Sequence, residues 1–264
     1  MLDGTARCWG DNVYGQLGNN STTDSSVPVK VVNPSNAAQA LTGIASVSPG
    51  LGFHSCALMQ DGTARCWGQN AAGALGNNTT SNSSVPVTVV NPANTALPLT
   101  GLTIVTAGYY HSCALVNDGT ARCWGYNGSG RLGNNTTVNS LIAVVVVNPS
   151  NTTLAFSRIS SMTAGGYQSC ALMIDGTAYC WGENVYGSLG NDTTAPSKIP
   201  VKVLDPSNTT QALTGVARIA AGGYHSCTLM TDATARCWGY NTFGQLGNHT
   251  FTDSAVPATV STIR

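Results

Sequence analysis

The chain has 264 residues, of which 8% are charged, and eleven Lys and Arg balance eleven Asp and Glu. A net charge of zero gives no electrostatic footprint for nucleic acid, an acidic membrane surface or a highly charged substrate. No apolar run approaches the roughly 18–20 residues of a membrane span, and the opening MLDGTARCWG lacks the basic-then-apolar pattern of an export signal.

Five tryptophans, Trp9, Trp67, Trp124, Trp181 and Trp238, stand 58, 57, 57 and 57 residues apart. A period of that length accommodates four short strands and their turns. The sequence opens inside a repeat, because Met1-Leu2-Asp3-Gly4 aligns with Met59-Gln60-Asp61-Gly62. Four complete repeats follow this half, giving segments at about 1–32, 43–90, 101–147, 158–204 and 215–260. In the second complete repeat, strands are predicted near 102–107, 111–116, 120–125 and 142–147. The first alternates apolar and polar residues up to a glycine, the pattern of a half-buried strand.

The turn between the second and third strands sets a register. Gly62 sits where a three-residue hairpin loop needs a positive φ. If Gln60, Asp61 and Gly62 form the loop, Met59 faces Thr63, and counting outward places Cys56 opposite Cys66. Ala233 replaces the glycine in the last repeat, so strain or another turn geometry is expected there. In the fourth strand Pro28, Pro86, Pro200 and Pro257 recur, with Ala143 in the remaining repeat. Proline cannot donate to a ladder, which makes this strand the outer edge of its sheet. Such sheets satisfy the pattern when stacked face to face around an axis. The fold class is therefore all-β: a β-propeller of four-stranded antiparallel blades, an incomplete arc of one half blade and four complete ones.

The pattern HSCAL…DGTARCWGxNxxGxLGNN…VPV resembles the repeat of the regulator of chromosome condensation family, and the resemblance runs through essentially the whole chain. It implies a seven-bladed propeller. The paired cysteines are similar to those of the family's bacterial branch. The chain is accordingly read as a piece of a longer polypeptide, with completion by a partner chain as the alternative.

Eight cysteines form pairs ten positions apart: Cys56 with Cys66, Cys113 with Cys123, Cys170 with Cys180, and Cys227 with Cys237. Facing residues of antiparallel strands have Cα atoms roughly 4.5–5.5 Å apart, within disulfide reach. Disulfides imply an oxidising compartment: extracellular space, periplasm or cell surface. Buried reduced thiols, compatible with a cytoplasmic location, are the competing reading. Zinc is not expected, since no CxxC or second close ligand pair accompanies each pair. Cys8 lacks a counterpart.

Catalytic constellations are missing from the sequence. Glu183 is the sole glutamate, and the Asp residues of the recurring Asp-Gly turns are ordinary hairpin chemistry. His54, His111 and His225 share a repeat position with Gln168, which points to structural hydrogen bonding rather than metal ligation. No P-loop or GxSxG occurs, and no enzyme activity or cofactor is expected. The loops after each tryptophan differ more. They carry Tyr14, Tyr126, Arg131, Glu183, Tyr186, Tyr240, Phe243 and Phe251 among small polar residues. Loops at one end of a rigid scaffold commonly bind partners, with Tyr and Arg as anchors. The expectation is a non-catalytic, extracytoplasmic scaffold that binds an unidentified protein, as the family's bacterial members imply. The eukaryotic relatives imply guanine-nucleotide exchange on a small GTPase, and the aromatic loops suggest carbohydrate binding, as alternatives.

Overall fold

The computed structural model describes residues 3–261. Met1 and Leu2, which belong to the turn alignment above, and the last three residues of the chain lie outside the described residues. Among the described residues every regular element is a β-strand, and no helix is long and apolar enough to cross a membrane. Packing divides the chain into two units. One comprises Met1–Asn117, Arg122–Tyr126 and Asn139–Val144, the other Asp118–Ala121, Asn127–Val138 and Val145–Arg264.

The first unit begins with a two-stranded sheet of β1 (Arg7–Gly10) and β2 (Ser25–Lys30). After β3 (Val32–Asn33) and β4 (Asn36–Ala40) comes a four-stranded sheet in sequential order: β5 (Ile44–Pro49), β6 (His54–Met59), β7 (Ala64–Gly68) and β8 (Ser83–Thr88). The hairpin of β9 (Val90–Asn91) and β10 (Asn94–Pro98) leads to the next sheet. That sheet contains β11 (Leu102–Ala107), β12 (His111–Val116), β13 (Ala121–Gly125) and β14 (Ser140–Val145).

The second unit repeats the plan. Its hairpin of β15 (Val147–Asn148) and β16 (Asn151–Ala155) precedes β17 (Ile159–Ala164), β18 (Gln168–Met173), β19 (Ala178–Gly182) and β20 (Ser197–Lys202). A hairpin of β21 (Leu204–Asp205) and β22 (Asn208–Ala212) then leads to β23 (Val216–Ala221), β24 (His225–Met230), β25 (Ala235–Gly239) and β26 (Ser254–Thr259).

The hairpin register follows from the turn. Met59 N donates to Thr63 O at 2.9 Å, Gly62 has φ +74°, and Cys56 faces Cys66 across the ladder. The same register sets Cys170 against Cys180 and Cys227 against Cys237. All four pairs are disulfides. Cys56 is bonded to Cys66 and Cys113 to Cys123, each with Cα atoms 4.0 Å apart. Cys170 is bonded to Cys180 and Cys227 to Cys237, each with Cα atoms 4.1 Å apart. These separations are shorter than the range expected from facing strands. Three alternations outward from the hydrogen-bonded pair of Met59 and Thr63 make Cys56 and Cys66 a non-hydrogen-bonded pair, the kind in which backbones approach most closely. The Ala233 turn keeps the same geometry with a left-handed alanine at φ +65°. The proline-bearing strands β2, β8, β20 and β26 occupy sheet edges.

One correction concerns the fourth strand. Strand β14 runs Ser140–Val145 rather than 142–147, because Val146 turns aside to donate to Ala121 O at 3.0 Å. The segments between the predicted blades form the hairpins β3–β4, β9–β10, β15–β16 and β21–β22. Three of their turns are closed by an Asn side chain, as where Asn33 Oδ1 accepts Ser35 N at 2.9 Å, and the fourth by Asp205, whose Oδ1 accepts Ser207 N at 2.9 Å.

Neighbouring sheets within each unit are joined by one repeated contact. In the first unit, Gln16 O accepts Trp67 Nε1 at 2.8 Å and Ser55 Oγ at 3.0 Å, while Ala74 O accepts Trp124 Nε1 at 2.8 Å and Ser112 Oγ at 2.9 Å. In the second unit, Arg131 O accepts Trp181 Nε1 at 2.8 Å and Ser169 Oγ at 3.0 Å, while Ser188 O accepts Trp238 Nε1 at 2.9 Å and Ser226 Oγ at 3.1 Å. These four indoles are fully buried, so each contributes a large apolar area while its N–H remains satisfied.

Candidate functional site

The loops after the tryptophans are built around a buried asparagine. In the second unit, Asn184 is fully buried, and its Nδ2 donates to Asn191 Oδ1 at 3.2 Å, Thr193 O at 3.0 Å and Ala195 O at 2.9 Å. Its Oδ1 accepts Leu189 N at 2.8 Å, which satisfies the amide on both sides. Asn241 holds the last loop in the same way, accepting Leu246 N at 2.9 Å.

Two glycines press the Asn184 loop onto the next sheet. A Cβ at Gly187 would lie 2.5 Å from Ala255 Cα, and one at Gly190 would lie 2.8 Å from Trp238 Nε1. With Asn, Gly, Leu and Gly committed to structure, the intervening positions are left to vary. Residues 183, 186, 240 and 243 are such positions.

The turns between first and second strands reach the same end of their sheets. Gly165 N donates to Gln168 O and Gly222 N to His225 O, both at 2.8 Å, with Tyr167 and Tyr224 inside these tight turns. The two rings stack with centroids 4.2 Å apart and planes 12° apart. Tyr186 meets Tyr224 at 5.2 Å and Tyr240 at 4.6 Å, and Tyr240 meets Phe243 at 6.1 Å. Five aromatic side chains from two loops and two turns thus form one connected cluster.

Burial, then the hydrogen bond with Tyr167, pushes the Tyr224 phenol well above its usual range. The cluster offers aromatic rings and phenol groups, a surface suited to uncharged or mixed contacts.

The predicted site residues fall into distinct places. Tyr186, Tyr240 and Phe243 join the cluster, and Phe243 is 79% exposed. Phe251, 73% exposed, stands beside Gly244, where an added Cβ would lie 3.5 Å from its ring. Arg131 is not the displayed anchor the sequence suggested. It is 4% exposed, with its guanidinium 4.7 Å from the Tyr167 ring centroid, a cation–π support beneath the cluster. Glu183 is half-buried and accepts a hydrogen bond from Ser129 Oγ at 2.6 Å. In the first unit Tyr14 packs on Phe53 at 5.2 Å, and Tyr110 meets Tyr126 at 6.4 Å and Tyr109 at 6.0 Å. Sequence reasoning missed Phe53, Tyr110, Tyr167 and Tyr224. Their signal was an aromatic residue immediately before His54, His111, Gln168 and His225.

The shared His/Gln position is structural. His54 is buried with Nε2 2.8 Å from Ser112 Oγ, and Gln168 Nε2 donates to His225 O at 2.9 Å. Burial depresses the His54 imidazole to about 4, although a hydrogen bond with the Tyr109 backbone acts the other way. Among the described residues, no three His, Cys, Asp or Glu side chains gather to hold a metal ion.

Comparison with known proteins places this geometry. The chain is 29% identical over 253 residues to the ultraviolet-B receptor UVR8 of Arabidopsis thaliana, covering 96% of this chain and 52% of that protein. It is also 29% identical over 265 residues to the mitochondrial RCC1 domain-containing protein RUG3 of the same plant, covering 99% and 56%. The chain thus spans about half the length of these curated relatives.

The crystal structure of Prp20p from Saccharomyces cerevisiae, described with its binding to Gsp1p and histones, superposes with a TM-score of 0.77. Sequence identity is 22%, and the match covers 100% of this chain and 60% of that one. Human WBSCR16 gives the same TM-score at 22% identity, covering 98% and 63%. These likenesses establish the propeller fold. The model of the regulator of chromosome condensation (RCC1) repeat matches residues 3–58, 61–115, 118–172 and 175–229, and the chain belongs to that family.

Proposed function

We propose that this chain is a non-catalytic scaffold that binds a partner protein through the loop end of its second unit. The observation that carries this reading is the connected cluster of Tyr167, Tyr224, Tyr186, Tyr240 and Phe243. Tyrosine supplies broad amphipathic contact area with few rotatable bonds, and the surrounding Asn, Ser, Thr and Gly supply adaptable hydrogen bonding. Protein-recognition loops are enriched in this combination. The stacked rings and the Arg131 support pre-order the surface, which reduces the entropy lost on association. The protein partners of Prp20p are consistent with the use of this fold for protein contacts. The four disulfides favour an oxidising compartment.

Carbohydrate binding is the second reading, favoured by the exposed rings of Phe243 and Phe251 in a neutral, hydroxyl-rich setting. One experiment separates the two. The immobilised chain and a triple variant, Tyr186→Ser, Tyr240→Ser and Phe243→Ser, are used to capture protein from culture fluid and are applied in parallel to a glycan array. A protein retained by the parent and lost by the variant supports the first reading. Variant-sensitive glycan signals without protein capture support the second, and capture unaffected by the substitutions refutes the loop-end assignment.

A further inference from the structure

The fourth strand of each repeat ends on Lys30, Thr88, Val145, Lys202 or Thr259. The first two of these treat the hairpin that follows them differently. Lys30, at the end of β2, donates from its ammonium to the Ala38 carbonyl on β4. One repeat further on, Thr88 ends β8, and the carbonyl matching that of Ala38 belongs to Ala96 on β10. Threonine stops at its γ position, well short of a lysine Nζ, and the Thr88 hydroxyl accepts Arg65 Nη1 at 3.0 Å instead.

A cleft of about 410 Å³ lies at this place, with both Thr88 and Ala96 in its walls. Val90, Leu97 and Pro98 give it an apolar side, and Asp61 contributes a carboxylate. The hydroxyl and amide of Thr63 donate to Asp61 Oδ1 at 2.7 and 2.9 Å. Those bonds, with the Arg65 charge nearby, hold the carboxyl below its usual range, so it is ionised at neutral pH. All these residues belong to the first unit.

We propose that this cleft binds a primary alkylammonium group, whose N–H donates to the Ala96 carbonyl as Lys30 donates to that of Ala38. Asp61 supplies the countercharge. Val90, Leu97 and Pro98 cover a methylene stem, which makes a lysyl side chain a better occupant than a hydroxylated amine such as an amino sugar. Arg65 is no obstacle, because Arg7 faces Lys30 directly across the β1–β2 ladder. The repeat thus already holds a guanidinium beside an ammonium. This inference is independent of the loop-end binding face, which lies in the other unit.

The test uses the full 264-residue chain, labelled with nitrogen-15, and n-butylamine as the probe at neutral pH. The Leu97 amide shares a peptide unit with the Ala96 carbonyl, so its resonance should shift saturably, with a dissociation constant on the order of a millimolar. n-Butanol, of matching length but uncharged, should leave it in place. Thr88→Lys supplies the ammonium from within. It should move the Leu97 resonance without probe and abolish the response to butylamine. Lys30 and Lys202 stand at this position in other repeats, so the variant is expected to fold, and an otherwise unchanged spectrum checks that. Asp61→Asn should weaken binding about two- to fivefold. Nα-acetyl-lysine amide should bind at least about threefold tighter than glucosamine, through its apolar stem. An equal response to butanol, or undiminished butylamine binding by a folded Thr88→Lys chain, would overturn the ammonium site. Tighter binding of glucosamine would overturn the assignment to a lysyl side chain.

Discussion

Ala233→Gly should make the last hairpin more stable. Ala233 occupies a left-handed turn position, φ +65°, at the place where Gly62, Gly119 and Gly176 have φ +74°, +79° and +78°. The hydrogen bonds are unchanged: Met230 N donates to Thr234 O at 2.8 Å and Ala233 N to Met230 O at 3.1 Å. Steric crowding is not the problem either, because a Cβ at Gly62 or Gly176 would find its nearest neighbour 3.6 Å away. What remains is the conformational cost of a left-handed L-residue, about 1–2 kcal/mol. Glycine removes that cost but adds roughly 0.4–1 kcal/mol of unfolded-state entropy. The difference is a net gain of about 0.5–1 kcal/mol.

A stacked-repeat chain need not unfold in one step, so the local readout is the informative one. Hydrogen exchange of the Met230 and Ala233 amides should slow by about two- to fivefold, the equivalent of that energy if exchange follows local opening. Gly62→Ala should produce the opposite change in its own hairpin. Unchanged or faster exchange in Ala233→Gly would refute the dihedral argument. Arg158 offers an independent check. It has φ +65° where Gly43, Gly101 and Gly215 stand at φ +72° to +73°, so Arg158→Gly should likewise slow exchange of the Ile174 amide, which donates to Arg158 O at 2.9 Å.

Three other outcomes are expected. His54 is depressed to about 4 against an ordinary 6.5, so the unfolded chain binds its proton first as pH falls. Stability should therefore be undiminished above pH 6.5 and decline toward pH 4, by about 3 kcal/mol for this group at most. His54→Gln, which copies the residue at position 168, should flatten that decline in denaturant titrations at pH 7.5 and 5; an identical slope would count against a buried neutral imidazole. Gly76→Ala would place a Cβ 2.8 Å from Trp124 Nε1 at a backbone φ of +65°, and should lower the unfolding midpoint by the equivalent of about 2–4 kcal/mol. A denatured, unreduced chain should titrate as one free thiol, Cys8, whereas nine would remove the four disulfides and the compartment argument with them.

What could be read in advance depended on whether a residue's role was local or delivered from another repeat. The Cys56–Cys66 register needed only a loop length and Gly62, since a hairpin with a fixed turn leaves one pairing available. The edge position of the fourth strand needed only Pro28, Pro86, Pro200 and Pro257. The hairpin arm Asn151–Ala155 escaped because its Asn-Thr-Thr-Leu-Ala sequence is largely exposed and lacks an alternating apolar face. Asn184 looked like any loop asparagine, and its burial becomes evident only when the carbonyls of Thr193 and Ala195 fold back onto it. Arg131 misled for the same reason: a charged side chain in a loop is ordinarily solvated, but Tyr167, thirty-six positions further on, provides a ring face that allows its burial. The candidate site is assembled by this second kind of information. Tyr167 and Tyr224 come from turns, and Tyr186 and Tyr240 from loops, in different repeats, so no single 57-residue window contains all four. The sheets make them neighbours because every repeat delivers its turn and its loop to the same end, and the sequence difference between repeats then becomes a spatial pattern.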